Sequence, residues 1–585
     1  MDIAFTLSAT LENRMIDHLT FLYGEQKAAR IMADLRNRLA AFHAAHPTQV
    51  QMNTAERLTE RDVILITYGD QIQSPDETPL QNLAEVLETS VKGAITGIHI
   101  LPFFPYSSDD GFSVINYLKV NPDCGDWDDV ARLGENFRLM FDLVVNHISA
   151  QSDWFNAFLT SDPAFADAFI VVEPGTDLSM VVRPRALPML TAVTIASGEE
   201  KLVWTTFSTD QIDLNFADPA MLLRILDVLL FYVAQGAEII RLDAIAYLWK
   251  KIGTLCIHLE ETHRVVKLFR AVLDAVAPGV MLITETNVPH AENISYFGND
   301  TDEAQLVYQF PLPPLTFHAL MRSDASYLTR WAAALEPPSA QTTFYNFLAS
   351  HDGVGVRPVE GILPPAEVQA MAERVRAHGG HVSYKANSDG TQSAYELNIS
   401  YFDALSDPHS DEPLRVQVAR FIVSQAIMLA LQGIPAIYVH SLFGSRNDYE
   451  GVEQTGRYRS INREKFQRDV LEAALADPTS LRAQVFAAYR RLLDVRAQHR
   501  AFHPNGPQRV LDAGSEVFAV ERTSPEGAET VICLHNVSEK PVPHTVPVLG
   551  NAACRDLLSD AIFSIENDTC TVQLAPYQVS WLLVE

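Results

Sequence analysis

The stretch AEIIRLDAIA, residues 237–246, places an arginine and an aspartate two residues apart inside an otherwise apolar run. Strand side chains alternate, so Arg241 and Asp243 share one face while Ile240, Leu242 and Ala244 take the other. A carboxylate in such a position is costly to bury unless it is paired, and a structural Arg–Asp pair is the plainest account of the dipeptide alone. Three further apolar runs end in the same way, in Asn146–His147, in Glu285 and in His351–Asp352. The chemistry such a set suits is glycosidic bond cleavage. One carboxylate attacks the anomeric carbon, and a second protonates the leaving oxygen and later takes the proton of the incoming acceptor. The nucleophile must stay ionised, which an arginine on its own strand face favours, and the acid must start protonated, which burial and neighbouring carboxylates favour. A third carboxylate opposes the positive charge that develops on the sugar ring. Asp243, Glu285 and Asp352 can fill these roles.

Residues from four separate runs meet only if the fold brings the run ends together. Eight short apolar runs alternate with helix-length segments: 62–69, 95–104, 138–147, 237–244, 280–286, 304–310, 343–352 and 433–441. Strands buried on both faces and separated by helices predict an α/β protein built on a closed (β/α)8 TIM barrel, whose strand C-terminal ends share the active-site rim. One connecting helix is well marked, with Asp218 as its cap, Pro219 in its first turn and Gly236 at its end. Two gaps are too long for simple crossovers and read as inserted subdomains. The expected organisation is a helical N-terminal extension (1–58), a barrel (59–147, 204–352 and 433–505) interrupted by insertions at 148–203 and 353–432, and a small C-terminal β domain (506–585). In the extension, Ile16, Leu19, Leu22, Ile31, Leu35, Leu39 and Phe42 recur at helical spacing up to Pro47, a stripe expected to dock on the barrel.

Bulk properties narrow the partners. The 585 residues exceed one core, and their 47% hydrophobic and 20% charged content is that of a globular enzyme. A formal net charge of −29 argues against nucleic acid or an anionic membrane as partner, and means that an anionic substrate would need a local cluster of Arg, Lys or His. Five scattered cysteines without metal-ligand spacing read as reduced thiols of a cytoplasmic protein. The N-terminus lacks a signal pattern, and no apolar run has membrane-spanning length. No cofactor is expected, and the state is expected to be monomer or homodimer.

DLVVNH, IRLDA, LITET and SHD, in this order and on these runs, resemble the four signature segments of the α-amylase superfamily of glycoside hydrolases (family 13). The resemblance implies Asp243 as nucleophile, Glu285 as general acid/base and Asp352 as transition-state stabiliser, with Arg241, His147 and His351 as sugar-binding partners. Segments such as GIHILPFFPYSSDDGFSVINY, VVRPRALP, VWTTFSTDQIDLN, SHDGVGVRP, YELNISYFDAL and GRYRSINR resemble the sucrose phosphorylase group within that superfamily. By that likeness Asp109 hydrogen-bonds the donor glucose, Phe112 stacks on it, Phe207 and Gln211 line the other side, and Arg459 pairs with a carboxylate at the back. Amylases use an Asn at the position of Asn146 to bind calcium. An isolated Asn is too little to claim a metal site, and none is expected.

A phosphorylase must admit phosphate to a glucosyl–enzyme intermediate, and the planar fork of arginine binds phosphate oxygens bidentately. The RPR stretch supplies Arg183 and Arg185, of which the resemblance favours Arg185, with the loop around Tyr395 as the other contributor. The expected partners are therefore inorganic phosphate and a small α-glucoside. Sucrose phosphorylases carry a His two residues after the acid/base glutamate, where this chain has Asn287. That residue, the helical extension and the stretches LWKKIGTLCIHLEETH and VYQFPLPPL resemble glucosylglycerate phosphorylases, which cleave 2-O-α-glucosyl-glycerate with phosphate. The carboxylate of glycerate asks for a cation or several donors, and Asn287, His290, Lys385 and the two arginines are candidates, with Tyr247 bordering the same site. Sucrose, sucrose 6′-phosphate and glucosylglycerol phosphorylases remain alternatives, followed by an α-glucosidase. A non-catalytic amylase-like protein would lack the carboxylates that are present here.

Overall fold

The structure, a computed structural model, describes residues 5–47, 57–184, 187–299, 301–337, 339–386, 391–548 and 553–585. Each of the eight apolar runs contributes one strand: β1 Ile64–Thr67, β2 Gly97–Ile100, β3 Arg138–Val144, β4 Ala237–Asp243, β5 Met281–Thr284, β6 Leu306–Tyr308, β7 Thr343–Phe347 and β8 Ile434–Tyr438. All eight pair in parallel with their sequence neighbours, and β8 closes on β1, giving a complete barrel. Strands such as β1, β5 and β7 are buried at every position, which explains why they read as continuous apolar runs rather than alternating ones.

The outer helices start where their sequences carry caps. Thr78 and Gln81 form a reciprocal capping box at the start of Pro79–Ser90, and Asp126 does the same with Asp129 for Trp127–Gly134. Asp218 accepts the Ala220 amide and Pro219 opens the helix that runs to Ala234, as its sequence predicts. Between β3 and that helix lie a three-stranded antiparallel sheet (Val171–Val172, Leu190–Thr194, Glu200–Trp204) and a short helix, Asp153–Leu159. Beyond β7 a second small sheet, formed by Val354–Gly355, His381–Ala386 and Gln392–Asn398, stands with the helix Pro365–Ala377. Eight antiparallel strands between Gln508 and Val584 form the C-terminal sheet.

The N-terminal stripe is two helices, α1 Ala9–Tyr23 and α2 Glu25–Ala45, broken at Gly24, whose φ of 78° suits glycine. The break rotates the buried face. Met15, His18 and Leu19 are buried on α1, whereas Ile16 and Leu22, part of the expected stripe, are only half-buried. On α2 the expected Ile31, Leu35, Leu39 and Phe42 are buried. The pair docks on the barrel through Arg14–Asp274 (3.1 Å), Arg38–Asp227 (2.8 Å) and the Tyr23 hydroxyl, which donates to the Phe216 carbonyl at 2.8 Å.

The seam between β7 and β8 depends on Gly433. Its φ is 132°, and a β-carbon there would lie 2.6 Å from the Phe344 carbonyl oxygen and 2.8 Å from the Asn346 amide nitrogen, so β8 reaches β7 only because the side chain is missing. Gly433→Ala is expected to cost about 1–3 kcal/mol through strain and seam opening. A thermal unfolding scan should show the loss as a lowered transition.

Candidate active site

Arg241 projects from β4 into the barrel and is buried together with its neighbours. Its Nη1 donates to Asp243 Oδ1 at 2.7 Å and also to Asp142 on β3, the residue in register with it across the strand pair. Its Nη2 lies 3.8 Å from Glu285 Oε2. The far oxygen of Asp142 meets His99 Nε2 at 2.6 Å. Just past β4, Ala244 adopts a left-handed conformation (φ 50°, ψ 29°) that begins the single turn Ile245–Tyr247 and aims its amide at Glu285 Oε2, 3.1 Å away.

The other wall is built by a strained turn. Asp109, Asp110 and Gly111 all have positive φ, and a β-carbon on Gly111 would lie 2.4 Å from the Pro102 carbonyl oxygen. This close approach presents Asp109 and Phe112 to the barrel mouth. The Phe112 ring stacks on His351 at 4.8 Å with an interplanar angle of 7°, and its carbonyl lies 2.9 Å from His147 Nε2. Gln211 reaches the same carbonyl and Asp109 Oδ2, both at 3.2 Å. At the back, Arg459 grips Asp352 at 2.5 Å and Glu396 at 2.8 Å.

Fourteen residues singled out by sequence line one cavity of about 100 Å³: Asp109, Phe112, His147, Phe207, Gln211, Arg241, Asp243, Tyr247, Glu285, Asn287, His351, Asp352, Tyr395 and Arg459. Asp109, Pro184, Tyr395 and Arg459 also line an outer cavity of about 740 Å³, so a small inner chamber stands behind a wider vestibule. Arg185 lies outside the described residues. Arg183 and Lys385 line the vestibule rather than the chamber, and Lys385 is held by Glu360 at 2.8 Å. His290 lines neither cavity; its ring stands near Phe344 on β7.

The charges of the three carboxylates are pulled apart by their surroundings. Burial raises the Glu285 carboxyl to about 7, and the negative charges of Asp243 and Asp352 add to the rise against the opposing pull of Arg241. Burial also lifts Asp243 above the ordinary aspartate range, opposed by Arg241 and His147. Because Arg241 touches Asp243 and stands further from Glu285, a proton shared by the pair belongs on Glu285. Burial works against ionisation of Asp352 too, yet the fixed charges of Arg459 and Arg463 help overcome it and hold this carboxyl well below the usual range. Burial lowers His351 to about 3 and also lowers His147, so both imidazoles are neutral near pH 7.

Several supporting residues escaped the sequence reading. Asp142 carried a signal, a lone carboxylate inside the apolar run RLMFDLVVNH, whereas His99, Glu396 and Lys250 carried none. The Lys250 ammonium is buried between Asp213 (2.5 Å) and Asn146 Oδ1 (2.7 Å), and Asp213 also accepts the Thr206 amide and hydroxyl. Asn146 is thereby committed to a lysine. Among the described residues no group of three or more His, Cys, Asp or Glu side chains is placed to hold a metal ion, and no helix is long and apolar enough to cross a membrane.

The electrostatics give a direct check. An infrared carboxyl titration, with Glu285→Gln as the blank, should show one group losing its proton near pH 7. Asp352→Asn removes a negative charge that stabilises the protonated form, so the Glu285 midpoint should move down.

The catalytic-domain model of the α-amylase family matches residues 84–355, and the C-terminal-domain model of maltogenic amylases matches 508–581. A glucosylglycerate phosphorylase from Allomeiothermus silvanus is 50% identical over 578 residues, covering 99% of this chain and 100% of that protein. A glucosylglycerate phosphorylase from Escherichia coli is 44% identical over 572 residues, covering 98% and 100%. Among solved structures, the sucrose 6F-phosphate phosphorylase from Thermoanaerobacter thermosaccharolyticum superimposes with a TM-score of 0.72 at 25% identity, over 88% of this chain and 98% of that one. With its closed parallel barrel, its C-terminal antiparallel sheet and relatives this similar along nearly its whole length, the chain belongs to the α-amylase superfamily (glycoside hydrolase family 13) and, within it, to the sucrose phosphorylase-like group of glycoside phosphorylases.

Proposed function

We propose that this protein is a retaining glycoside phosphorylase that reversibly converts 2-O-α-D-glucosyl-D-glycerate and inorganic phosphate into α-D-glucose 1-phosphate and D-glycerate. The observation that carries the mechanism is the division of charge around Arg241, which leaves a carboxylate and a carboxylic acid side by side in one chamber. The choice of acceptor is supported by the near-full-length identity to glucosylglycerate phosphorylases.

In the proposed first step an oxygen of Asp243 forms a bond to the anomeric carbon as the bond to the glycerate oxygen breaks. The Glu285 proton passes to that leaving oxygen. In the second step a phosphate oxygen attacks the same carbon, its proton going to Glu285, and the Asp243 carboxylate leaves. Two inversions give net retention. Asp352, kept ionised by Arg459, opposes the charge on the ring and accepts from sugar hydroxyls, while the neutral imidazoles of His147 and His351 add hydrogen bonds without repelling that charge. Asp109, Phe207, Gln211 and the ring of Phe112 complete the glucose site. Arg185 and Tyr395 are the proposed phosphate contacts, a role supported for Tyr395 by its place on both chamber and vestibule. The cysteines, all five buried and unpaired, support a cytoplasmic enzyme.

The test is release of phosphate from α-glucose 1-phosphate with D-glycerate, L-glycerate, glycerol, fructose, fructose 6-phosphate or water as acceptor. Release dependent on D-glycerate is expected. Release with fructose or its phosphate would move the protein to a sucrose-type activity, and release with water alone would make it a hydrolase. Asp243→Asn should lower turnover by about ten-thousandfold or more with the fold intact by circular dichroism.

A further inference from the structure

The inner chamber has two polar groups, one in its wall and one just outside it, for which the glucose site has no use. Asn287 lines it, and its Oδ1 is buried without a hydrogen-bond partner. The amide fits there because residue 355 is glycine: a β-carbon on Gly355 would lie 2.9 Å from Asn287 Nδ2 and 3.0 Å from Oδ1. Immediately beyond, Arg357 opens the single turn Arg357–Val359. Its loop is fixed to the chamber wall, since Val354–Gly355 pairs with Glu396–Leu397 and the Val356 amide donates to the Tyr395 carbonyl at 3.1 Å. Arg357 is half-buried, and its positive charge opposes the rise that burial imposes on the Tyr247 hydroxyl, so the guanidinium stands near this ring, which lines the chamber edge-on to Phe207 at 5.6 Å.

The cations around the chamber differ in what holds them. Arg241 is bound to Asp142 and Asp243, Arg459 to Asp352 and Glu396, Arg463 to Asp110, Lys250 to Asp213 and Lys385 to Glu360. Arg357 has no carboxylate partner among the described residues, and nor does Arg183, which is exposed on the vestibule wall. A half-buried guanidinium with no carboxylate partner among the described residues, beside a ring that lines the chamber, is available to an anion that arrives with the substrate.

We propose that Arg357 receives the carboxylate of the acceptor while Asn287 Oδ1 accepts one of its hydroxyl hydrogens, so that the two residues select a 2-hydroxy acid over a neutral polyol or ketose. In such an acid the carboxyl carbon is bonded to the carbon that bears the reacting oxygen. An anchor just past Tyr247 then holds that oxygen against Glu285. This inference rests on the acceptor assigned under the proposed function.

The experiment measures KM for D-glycerate, glycerol and phosphate, and the rate of acceptor-free hydrolysis of α-glucose 1-phosphate, in the wild type, Arg357→Gln and Arg357→Lys. Arg357→Gln should raise the KM for D-glycerate about a hundredfold, as expected for loss of a charge-assisted pair, with the phosphate KM and hydrolysis within about threefold of wild type. Arg357→Lys should recover about tenfold of that loss, because it restores charge without the planar fork. A D-glycerate KM within about threefold of wild type in Arg357→Gln would overturn the inference, as would a rise confined to phosphate or a loss shared equally by every readout. If Arg357→Gln does not fold, Arg357→Met, which keeps the aliphatic stem, is read by the same criteria. A wild type that ignores D-glycerate overturns the proposed function and this inference with it, whereas a wild type that uses it beside an unaffected Arg357→Gln overturns this inference alone.

Discussion

A guanidinium buried to 2% exposure cannot stand alone in a barrel interior, and Arg241 is surrounded accordingly. Asp142 and Asp243 take its two direct ion pairs, and Glu285 stands at the edge of its reach. This arrangement constrains most of what lies around it. It requires a second aspartate on the adjoining strand, held at about 2 by Arg241 and His99 against the burial that would raise it. It also fixes the register of β3 against β4, because a slip of one residue would turn Asp142 away from the guanidinium.

The same cation solves a problem of acid–base chemistry. Two carboxyls in one dry chamber would both tend to hold protons, and retaining glycosyl transfer needs one with a proton and one without. Distance decides between them: the carboxyl in contact with Arg241 is the better anion, and the one further off keeps the proton. Asp352 escapes the competition because Arg459 holds it from behind. Arg459 is itself positioned by Glu396 on the sheet beyond β7, so the ionisation of a barrel residue depends on an element outside the barrel.

A phosphorylase must also control what reaches its intermediate. The chamber is small and enters a vestibule about seven times larger, framed by Pro184 and Tyr395 from the two segments between strands. Short strand-to-helix connections could not supply such a wall, which gives the long excursions after β3 and β7 a physical purpose. The buried Lys250 fits the same logic, fastening the first excursion to the barrel by a fixed positive charge between Asn146 and Asp213.

Sequence alone located the barrel and the three carboxylates that share its chamber, because both follow from local rules. Parallel strands covered on both faces must be apolar throughout, so the eight runs were visible, and a polar residue at the end of such a run has few places to go but the rim. Where a side chain acts through a partner distant in the chain, the pattern was silent. Lys250 pairs with Asp213, 37 residues earlier. Asn287 finds room only because Gly355 faces it, and Arg357 differs from the neighbouring cations only because no carboxylate among the described residues pairs with it. The same limit hid the turn of the N-terminal helices at Gly24, since helical periodicity gives a face but not the direction in which a break rotates it. Spacing along a chain reports which side of an element a residue occupies. Which charges meet, and therefore which protons stay, is decided by distances that exist only after the barrel has closed.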